Sequence, residues 1–489
     1  MVRTTIAEAP RLKMTQGRSW PEVVGARASM LIIALGLAAL PAACSGSGGT
    51  DPGDVSAGGA RAGAFSNGGS GGGSGGVSGG MSTGVLSGSG GQAGGGPTTN
   101  GGSGGAITAG GVSGGGGAAT GGKLGTGGGS GSGGAMSTNV WTGTWSVAPH
   151  GCAGNFEQQT IRQIAHTSIG GASARVRISN AAGGATPLQI RDVHLAQRTT
   201  GSSIDAATDK AVMFNGQADV TIQKGMSAVS DSADFMVKPL SDVALSFYVV
   251  STGGATCHEG AFQTNYVVNG DLASSATLPG AQSRDSYYFA LNLDVMNPVA
   301  EGAVVALGAS ITAGHNSSPD ANRRWPDDLA VRLVNGKRVI GVLNQGLSGA
   351  GVMNAVDRFD RDVMSQSNIK WVIFSDNPIN DLGRNNPPSA QSEIDQIKGM
   401  IGKAHDKGVK FLCSTLTPFQ PSEPGRTTIN DFIHSAASGC DGIVDQDAAT
   451  HDPAAPTQWL MKFNSGDSLH PNTEGLQAIA DAVHFELFK

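Results

Sequence analysis

The chain has 489 residues, a formal net charge of −6 and 77 glycines. More than half of the glycines lie between residues 46 and 134, so the foldable remainder is about 350 residues, enough for two domains of ordinary size. No basic run follows residue 30, which excludes the electrostatic signature of a nucleic-acid-binding protein.

The first 44 residues are predicted to be an export signal. Basic side chains precede an apolar run at 30–40, which is shorter than the roughly 20 residues that cross a bilayer. Pro41-Ala42-Ala43-Cys44 follow the run. They resemble the site where bacterial lipoproteins are cleaved and lipidated, here at Cys44. We therefore expect a protein anchored by lipid in a bacterial cell envelope or at the cell surface. Ordinary signal cleavage with free secretion is the alternative.

Residues 45–137 contain mainly Gly, Ser, Ala and Thr, with almost no large apolar side chains. Such a segment cannot bury enough apolar surface to offset the entropy lost on ordering it. It is predicted to be a disordered linker with a root-mean-square reach of about 50–58 Å.

Short alternating runs begin at Trp141 and continue to about residue 297. At 243–249, apolar residues alternate with small or polar ones, and this period of two indicates half-buried strands. Gly pairs at 183–184 and 253–254 are typical of turns. Residues 138–298 are therefore predicted to form an antiparallel, jelly-roll-like β-sandwich.

Four cysteines lie in the foldable part of the chain. Cys152 and Cys257 lie in the predicted β-sandwich and could form a disulfide in an oxidising compartment. The pairing of Cys413 and Cys440 cannot be deduced from sequence. Histidines lie beside the first two cysteines, but their spacing matches no zinc pattern, so no metal site is expected.

From residue 302 the pattern changes to apolar strands that alternate with helical stretches. This alternation indicates a parallel sheet covered on both faces, with functional groups at the carboxyl ends of its strands. We predict an α/β domain over 299–489. Strands are expected at 303–307, 339–343, 370–374, 409–414 and 442–445, and helices at 326–334, 354–365, 390–407, 427–437 and 473–488.

Ser310 follows the first of these strands, in the run Gly308-Ala309-Ser310. A serine at a strand–helix turn can present its hydroxyl and its backbone N–H to one substrate atom, as a nucleophile requires. A helix N-cap serine fits the position equally well. A phosphate-binding loop would need a lysine that this motif lacks.

Asp467 and His470 lie in a loop just before the last predicted helix. A carboxylate three residues before a histidine can accept the ring Nδ1–H and leave Nε2 free as a base. Pro471 favours an extended backbone at His470 and a helix that starts soon after it. The alternative is a surface loop with two solvated polar groups.

Two further loops offer hydrogen-bond donors. Gly349 follows the second predicted strand, and Asn380 follows the third. A glycine N–H and an asparagine amide that point at one place would stabilise a tetrahedral oxyanion. The glycines of 346–351 also suggest a dinucleotide loop, but they follow the wrong strand and no acidic residue lies at the expected distance of about 20 residues.

The order of these signals over 302–489 resembles the SGNH, or GDSL-like, hydrolase superfamily of serine esterases. The closing Asp-x-Leu-His-Pro-Asn run and Arg324-Trp325-Pro326 are part of the resemblance. It implies a flavodoxin-like three-layer α/β/α fold, in a bacterial secreted form with an N-terminal β-domain. It also implies a catalytic triad and an oxyanion hole without metal or cofactor. The triad would be Ser310, Asp467 and His470, and the oxyanion donors would be Ser310, Gly349 and Asn380.

Two positions depart from the family pattern. Ala309 stands where the family has Asp, and Pro378 stands where it has Gly two residues before the asparagine. The first change is expected to loosen the turn at Ser310, and the second to displace Asn380. Both favour a catalytically impaired surface binding lipoprotein as an alternative.

The leading expectation is a secreted serine esterase that hydrolyses carboxylic esters through an acyl-enzyme. Its expected substrates are short acyl groups on a carbohydrate, such as a polysaccharide, or on a similar extracellular compound. A lipase- or phospholipase-type acylhydrolase is the other alternative among enzymes. The sequence leaves the oligomeric state open.

Overall fold

The computed structural model describes residues 140–184 and 186–489. The predicted signal, the lipidation site Cys44 and the predicted linker at 45–137 lie outside the described residues. Within the described ranges, no helix combines the length and the apolar character that crossing a bilayer requires.

The first part of the described chain is built of antiparallel strands. Their pairing gives three sheets, with the orders β1-β14-β4-β8, β13-β10-β2 and β12-β11-β3-β9-β5-β6, and β7 pairs with β5. The strands are β1 Trp141–Ser146, β2 His150–Cys152, β3 Gln159–His166, β4 Ser173–Ser179, β5 Leu188–Gln197, β6 Lys210–Val212, β7 Val220–Ile222, β8 Ser227–Val229, β9 Asp242–Ser251, β10 Ala255–Glu259, β11 Asn265–Asn269, β12 Gln282–Arg284, β13 Ser286–Tyr288 and β14 Ala290–Met296.

The alternating apolar side chains of these strands meet in one core. Ile161, Val176 and Phe247 are fully buried there, as expected for inward-facing positions of packed sheets. The prediction of an antiparallel β-sandwich is therefore confirmed. A disulfide joins Cys152 on β2 to Cys257 on β10, with a Cα–Cα distance of 6.1 Å.

The second part is the α/β domain. Its sheet is parallel with the order β16-β15-β17-β18-β19, so the first strand in sequence lies inside and the chain winds outward in both directions. The elements are β15 Gly302–Gly308, α1 Ser310–Ala313, α2 Trp325–Asn335, β16 Ile340–Gly346, α3 Val352–Phe359, β17 Ile369–Phe374, α4 Asn377–Leu382, α5 Ala390–His405, β18 Lys410–Ser414, α6 Gly425–His434, β19 Gly442–Val444, α7 Gln446–Thr450, β20 His451–Asp452, β21 Ala455–Trp459 and α8 Thr473–Asp481.

The helices of this domain fall into two groups around the sheet. Helix α2 packs against α8, and α5 packs against α3 and α6. The strands between them are almost wholly buried, as in a sheet covered on both faces. In β15, for example, every residue is buried. The predicted flavodoxin-like α/β/α fold is confirmed. A disulfide between Cys413 and Cys440, with a Cα–Cα distance of 5.8 Å, links the end of β18 to the loop before β19.

Some short elements differ from the predictions. Helices α1, α4 and α7 have four to six residues, too few for the 3.6-residue repeat of apolar positions to show in the sequence. The predicted helix at 473–488 ends at Asp481, and a separate 3₁₀ turn follows at Phe485–Leu487. Strands β20 and β21, which form a small hairpin, are also absent from the predictions.

The β-sandwich packs directly on the first two strands of the α/β domain. A Cβ atom at Gly341 on β16 would overlap the carbonyl oxygen of Gly143 on β1, so the two backbones touch. Side-chain bonds join the same strands, since Gln345 Nε2 donates to Ser146 Oγ at 2.8 Å. This contact brings loops of the β-sandwich to the end of the sheet where β15 and β16 finish.

Candidate active site

The predicted nucleophile, base and carboxylate form one hydrogen-bonded chain. Ser310 Oγ lies 2.8 Å from His470 Nε2, and His470 Nδ1 lies 2.6 Å from Asp467 Oδ2. A ring that donates Nδ1–H to the carboxylate has Nε2 free to accept the serine proton. The structure thus brings together, in working geometry, three side chains that are 160 residues apart at the extremes.

The charge on Asp467 is stabilised within its own loop. Burial opposes that charge, but Oδ1 accepts hydrogen bonds from the backbone N–H groups of His470 at 2.8 Å and Leu469 at 2.9 Å. With the bond to the His470 ring, these donors keep the pKa of Asp467 far below its ordinary value. The carboxylate is therefore ionised at neutral pH and can stabilise a positive charge on His470.

Local structure fixes both ends of the hydrogen-bonded row from Ser310 to Asp467. Ser310 is the first residue of α1 and follows β15 after one intervening residue. On the other side, Asn472 caps α8 through its side chain, which accepts from Gly475 N–H at 3.0 Å. Ser465 N–H donates to the His470 carbonyl at 3.1 Å, so the loop with Asp467 and His470 is closed on itself directly before α8.

Asp376 anchors the turn that presents Ser310. This buried carboxylate at the end of β17 accepts hydrogen bonds from Ala309 N–H at 3.0 Å and Ile311 N–H at 2.8 Å. It also accepts the Thr312 hydroxyl at 2.6 Å. Ala309 was expected to loosen this turn, but the Asp376 carboxylate, which follows the neighbouring strand, holds it by these three hydrogen bonds. Sequence reasoning missed this residue, although a polar run at a strand end was the available signal.

The residues around Asp376 fix the neighbouring loop. Asn377 and Asn380 both donate from Nδ2 to the carbonyl of Ala350, each at 3.1 Å. Pro378 lies in the first turn of α4, where a missing N–H costs no helical hydrogen bond. Pro378 was expected to displace Asn380, yet the Asn380 amide still contacts Ala350, the residue next to Gly349.

The backbone N–H groups of Ser310 and Gly349 lie at this end of the sheet. Ala309 and Ile311 donate to Asp376, whereas no acceptor among the described residues bonds the N–H of Ser310 or of Gly349. Gly349 has φ of 75° and faces open space, a conformation that glycine adopts at no steric cost. The loop of Gly349 is joined to the serine turn by Leu347 N–H, which donates to the Gly308 carbonyl at 3.1 Å.

Comparison with known proteins identifies the family of this part of the chain. Residues 306–478 match the model of the GDSL-like lipase/acylhydrolase family. These residues form a GDSL-like lipase/acylhydrolase domain. No curated protein has a sequence that matches the chain.

Several solved structures are similar to this chain. The acetylxylan esterase Axe2 from Geobacillus stearothermophilus is 17% identical, with 39% of this chain and 94% of that chain covered and a TM-score of 0.31. A GDSL-like lipase from Bacteroides thetaiotaomicron is 17% identical, with coverages of 38% and 88% and a TM-score of 0.30. An α/β hydrolase from the metagenome of Lake Arreo is 19% identical, with coverages of 39% and 96% and a TM-score of 0.31.

The acylhydrolase domain places one more histidine beside the base. The ring of His315 lies 4.3 Å from that of His470, centroid to centroid. Burial, and then the positive charge that His470 can carry, lower the pKa of His315. From its position just after the serine loop, His315 could line the pocket, but the sequence favours a surface residue there, because nothing in it shows which loop the side chain meets.

Two clusters in the described residues have ligand atoms close enough for a metal ion. His315, Asp467 and His470 form one of them, but both ring nitrogens of His470 are already hydrogen bonded to Ser310 and Asp467. The other contains His150, Glu259 and the sulfur of Cys257, which is in the disulfide. The donor sets therefore fit proton transfer and a structural cross-link better than metal binding.

Proposed function

We propose that the chain is an exported serine esterase that hydrolyses carboxylic esters through an acyl-enzyme. Its substrates would be short acyl groups on a carbohydrate or a similar extracellular compound. The observation that supports this proposal is the bonded chain from Ser310 through His470 to Asp467. A solvated loop with unrelated polar residues would not align these three side chains for proton transfer.

The geometry gives each residue a step in the reaction. His470 Nε2 accepts the Ser310 proton while Oγ attacks the ester carbonyl carbon, and the carbonyl oxygen becomes negatively charged. The imidazolium is stabilised by Asp467 and then protonates the alcohol oxygen, so the bond between that oxygen and the carbonyl carbon breaks. A water molecule, deprotonated by the same nitrogen, attacks the acyl-enzyme, and the acid leaves as Ser310 recovers its proton.

The free N–H groups of Ser310 and Gly349 suit the negatively charged oxygen. The Asn380 amide has two N–H bonds, and only one of them is used by Ala350, so the second remains for the substrate. Removal of one such donor typically lowers the rate about 10²–10³-fold.

The impaired-protein alternative depends on Ala309 and Pro378. Asp376 supplies the acceptor that bonds the serine turn, and the first turn of α4 accommodates Pro378. The two departures thus have local compensation, which supports an active enzyme.

The choice of substrate and location rests on the N-terminal region. An export signal and a lipidated Cys44 would suit an enzyme that works on material outside the cell.

The test of the proposed activity is hydrolysis of p-nitrophenyl acetate by the purified chain and by Ser310→Ala. We expect turnover in the wild type and a loss of at least about 10³-fold in the variant. Ser414→Ala is the matched control, since Ser414 ends β18 of the same sheet and is fully buried. Equal rates for the wild type and Ser310→Ala, with Ser310→Ala folded, would refute a serine esterase.

The substrate class is tested separately. Acetate release from acetylated xylan and from an acetylated monosaccharide is measured beside hydrolysis of p-nitrophenyl octanoate and of phospholipid vesicles. Preference for acetylated sugars supports the carbohydrate proposal. Preference for the octanoate or the phospholipid would favour the lipase alternative instead.

A further inference from the structure

The β-sandwich contributes an aromatic side chain to the surroundings of the catalytic base. Phe262 lies in the loop between β10 and β11, and its ring meets the His315 ring edge-on, with centroids 5.8 Å apart at 89°. His315 in turn packs on His470 at 4.3 Å. Three rings from two domains therefore form a continuous row that ends at the base.

The loop of Phe262 is fixed from both sides. Its N–H donates to Asp285 Oδ1 at 2.8 Å, and its carbonyl accepts from Asp320 N–H at 3.0 Å. The Asp320 carboxylate also accepts from Thr264, through the backbone N–H and the hydroxyl, each at 2.6 Å. Asp320 belongs to the acylhydrolase domain, so the loop of the β-sandwich is bonded directly to the loop that follows the nucleophile.

The backbone at Phe262 is unusual. Its φ of 49° lies in the left-handed region, which few residues other than glycine adopt and which persists where surrounding bonds enforce it. The chain thus keeps a half-buried aromatic residue in a disfavoured backbone conformation beside His315. The bonds to Asp285 and Asp320 leave the ring little freedom to move away from His315.

The chemistry of the reaction indicates what this row of rings meets. His470 must deliver its proton to the oxygen of the departing alcohol, so that oxygen lies within hydrogen-bonding reach of Nε2. Side chains that pack beside His470 border the alcohol part of the ester, whereas the acyl part points toward the other side of Ser310. We propose that Phe262 and His315 form the wall that binds the alcohol part, and that Phe262 is a specificity-determining residue supplied by the β-sandwich.

This inference rests on the proposed function and makes a prediction that a general loss of activity cannot imitate. Esters with one acyl group and different alcohols share the same acyl-enzyme, so the alcohol affects only its formation. A residue that contacts the alcohol changes kcat/KM by a factor that depends on the alcohol. A residue that merely orients His470 acts through proton transfer, so its loss lowers kcat/KM for ethyl acetate, whose alkoxide most needs the proton, at least as much as for the aryl acetates.

The experiment compares Phe262→Ala and Phe262→Leu with the wild type. The alcohol series is ethyl, phenyl and 1-naphthyl acetate, and the acyl series is p-nitrophenyl acetate, butyrate and octanoate. We expect Phe262→Ala to lower kcat/KM for 1-naphthyl acetate about tenfold more than for ethyl acetate, the discrimination typical of one apolar contact. The relative rates within the acyl series should match those of the wild type.

Ratios between substrates do not depend on how much of a variant is folded, so partial unfolding cannot produce this pattern. Tyr266→Ala is the matched control, because Tyr266 is a half-buried aromatic residue on β11 whose hydroxyl contacts the region of Gly201 instead. An equal loss of kcat/KM for all alcohols, or an altered acyl preference, would refute the proposed alcohol-binding wall but not the esterase activity. Absence of Ser310-dependent turnover in the wild type would overturn both.

Discussion

Replacement of Asp376 is the sharpest test of how this domain orients Ser310, the proposed nucleophile. The carboxylate is 3% exposed and accepts three hydrogen bonds from the turn that contains Ser310. In Asp376→Asn, Oδ1 can retain its bonds to Ala309 N–H and the Thr312 hydroxyl. The new amide group then faces Ile311 N–H, so that two donors meet where a donor and an acceptor stood.

The size of the effect follows from these contacts. A buried donor without a partner costs about 1–3 kcal/mol, so we expect Asp376→Asn to lose about 2–3 kcal/mol of unfolding free energy. Asp376→Ala leaves three donors without their acceptor and should lose about 3–5 kcal/mol, because water can enter the space and reduce the full sum. A displacement of Ser310 by about 1 Å would lower kcat roughly 10²-fold.

Two measurements separate orientation from stability. Urea unfolding gives the free energy, and the rate at which a fluorophosphonate labels Ser310 reports the reactivity of the folded protein. Asp294→Asn is the control, since Asp294 is a buried carboxylate on β14 that accepts from Arg175 at 3.0 Å and Ser367 at 2.6 Å. It should lose similar stability without slower labelling. If Asp376→Asn labels as fast as the wild type while fully folded, Asp376 does not position the nucleophile.

Three other changes test the electrostatics of the domain. Asp467→Asn should lower kcat about 10³-fold on p-nitrophenyl acetate at pH 7, since the His470 ring loses the partner that fixes its tautomer. The unfolding free energy should change by under about 1 kcal/mol, because the Asp467 side chain is 44% exposed. A loss of kcat below tenfold would contradict the role of Asp467 in orienting His470. Burial, then the charge of Asp381, raise the pKa of Glu393 from 4.5 to about 7, so the folded state binds the proton more tightly and stability should fall by about 1–2 kcal/mol as pH rises through that window. Between pH 4.5 and pH 8 the urea midpoint should fall further in the wild type than in Glu393→Gln, and equal falls in the two proteins would refute this role of Glu393. Ala309→Asp should lower the unfolding free energy by about 2–4 kcal/mol, because Ala309 is fully buried with its N–H 3.0 Å from Asp376 and two buried like charges repel. The loss should be smaller in an Asp376→Ala background. Strictly additive losses in urea unfolding would show that the two side chains do not interact.

The contrast between sequence and structure is clearest at the two ends of the catalytic chain. The alternation of strands and helices after residue 302 and the spacing of Asp467 and His470 depend on local repeats and short-range bonds. The bond from Asp467 to the backbone of His470 spans three residues, so its possibility is visible in the sequence. The parallel sheet and the position of Ser310 after its first strand are predictable for the same reason.

The contacts that complete the site join distant parts of the chain. Asp376 bonds a turn 64 to 67 residues away, and the sequence shows it only as a polar residue at an unusual place. Phe262 reaches His315 from another domain, which no repeat or motif in either domain predicts. Local periodicity predicted the longer strands and helices and the fold class, and short motifs together with the family resemblance indicated the candidate triad. Only tertiary packing decided which carboxylate supports the nucleophile and which side chains surround the base, because those contacts depend on how β15, β17 and the β-sandwich meet in space.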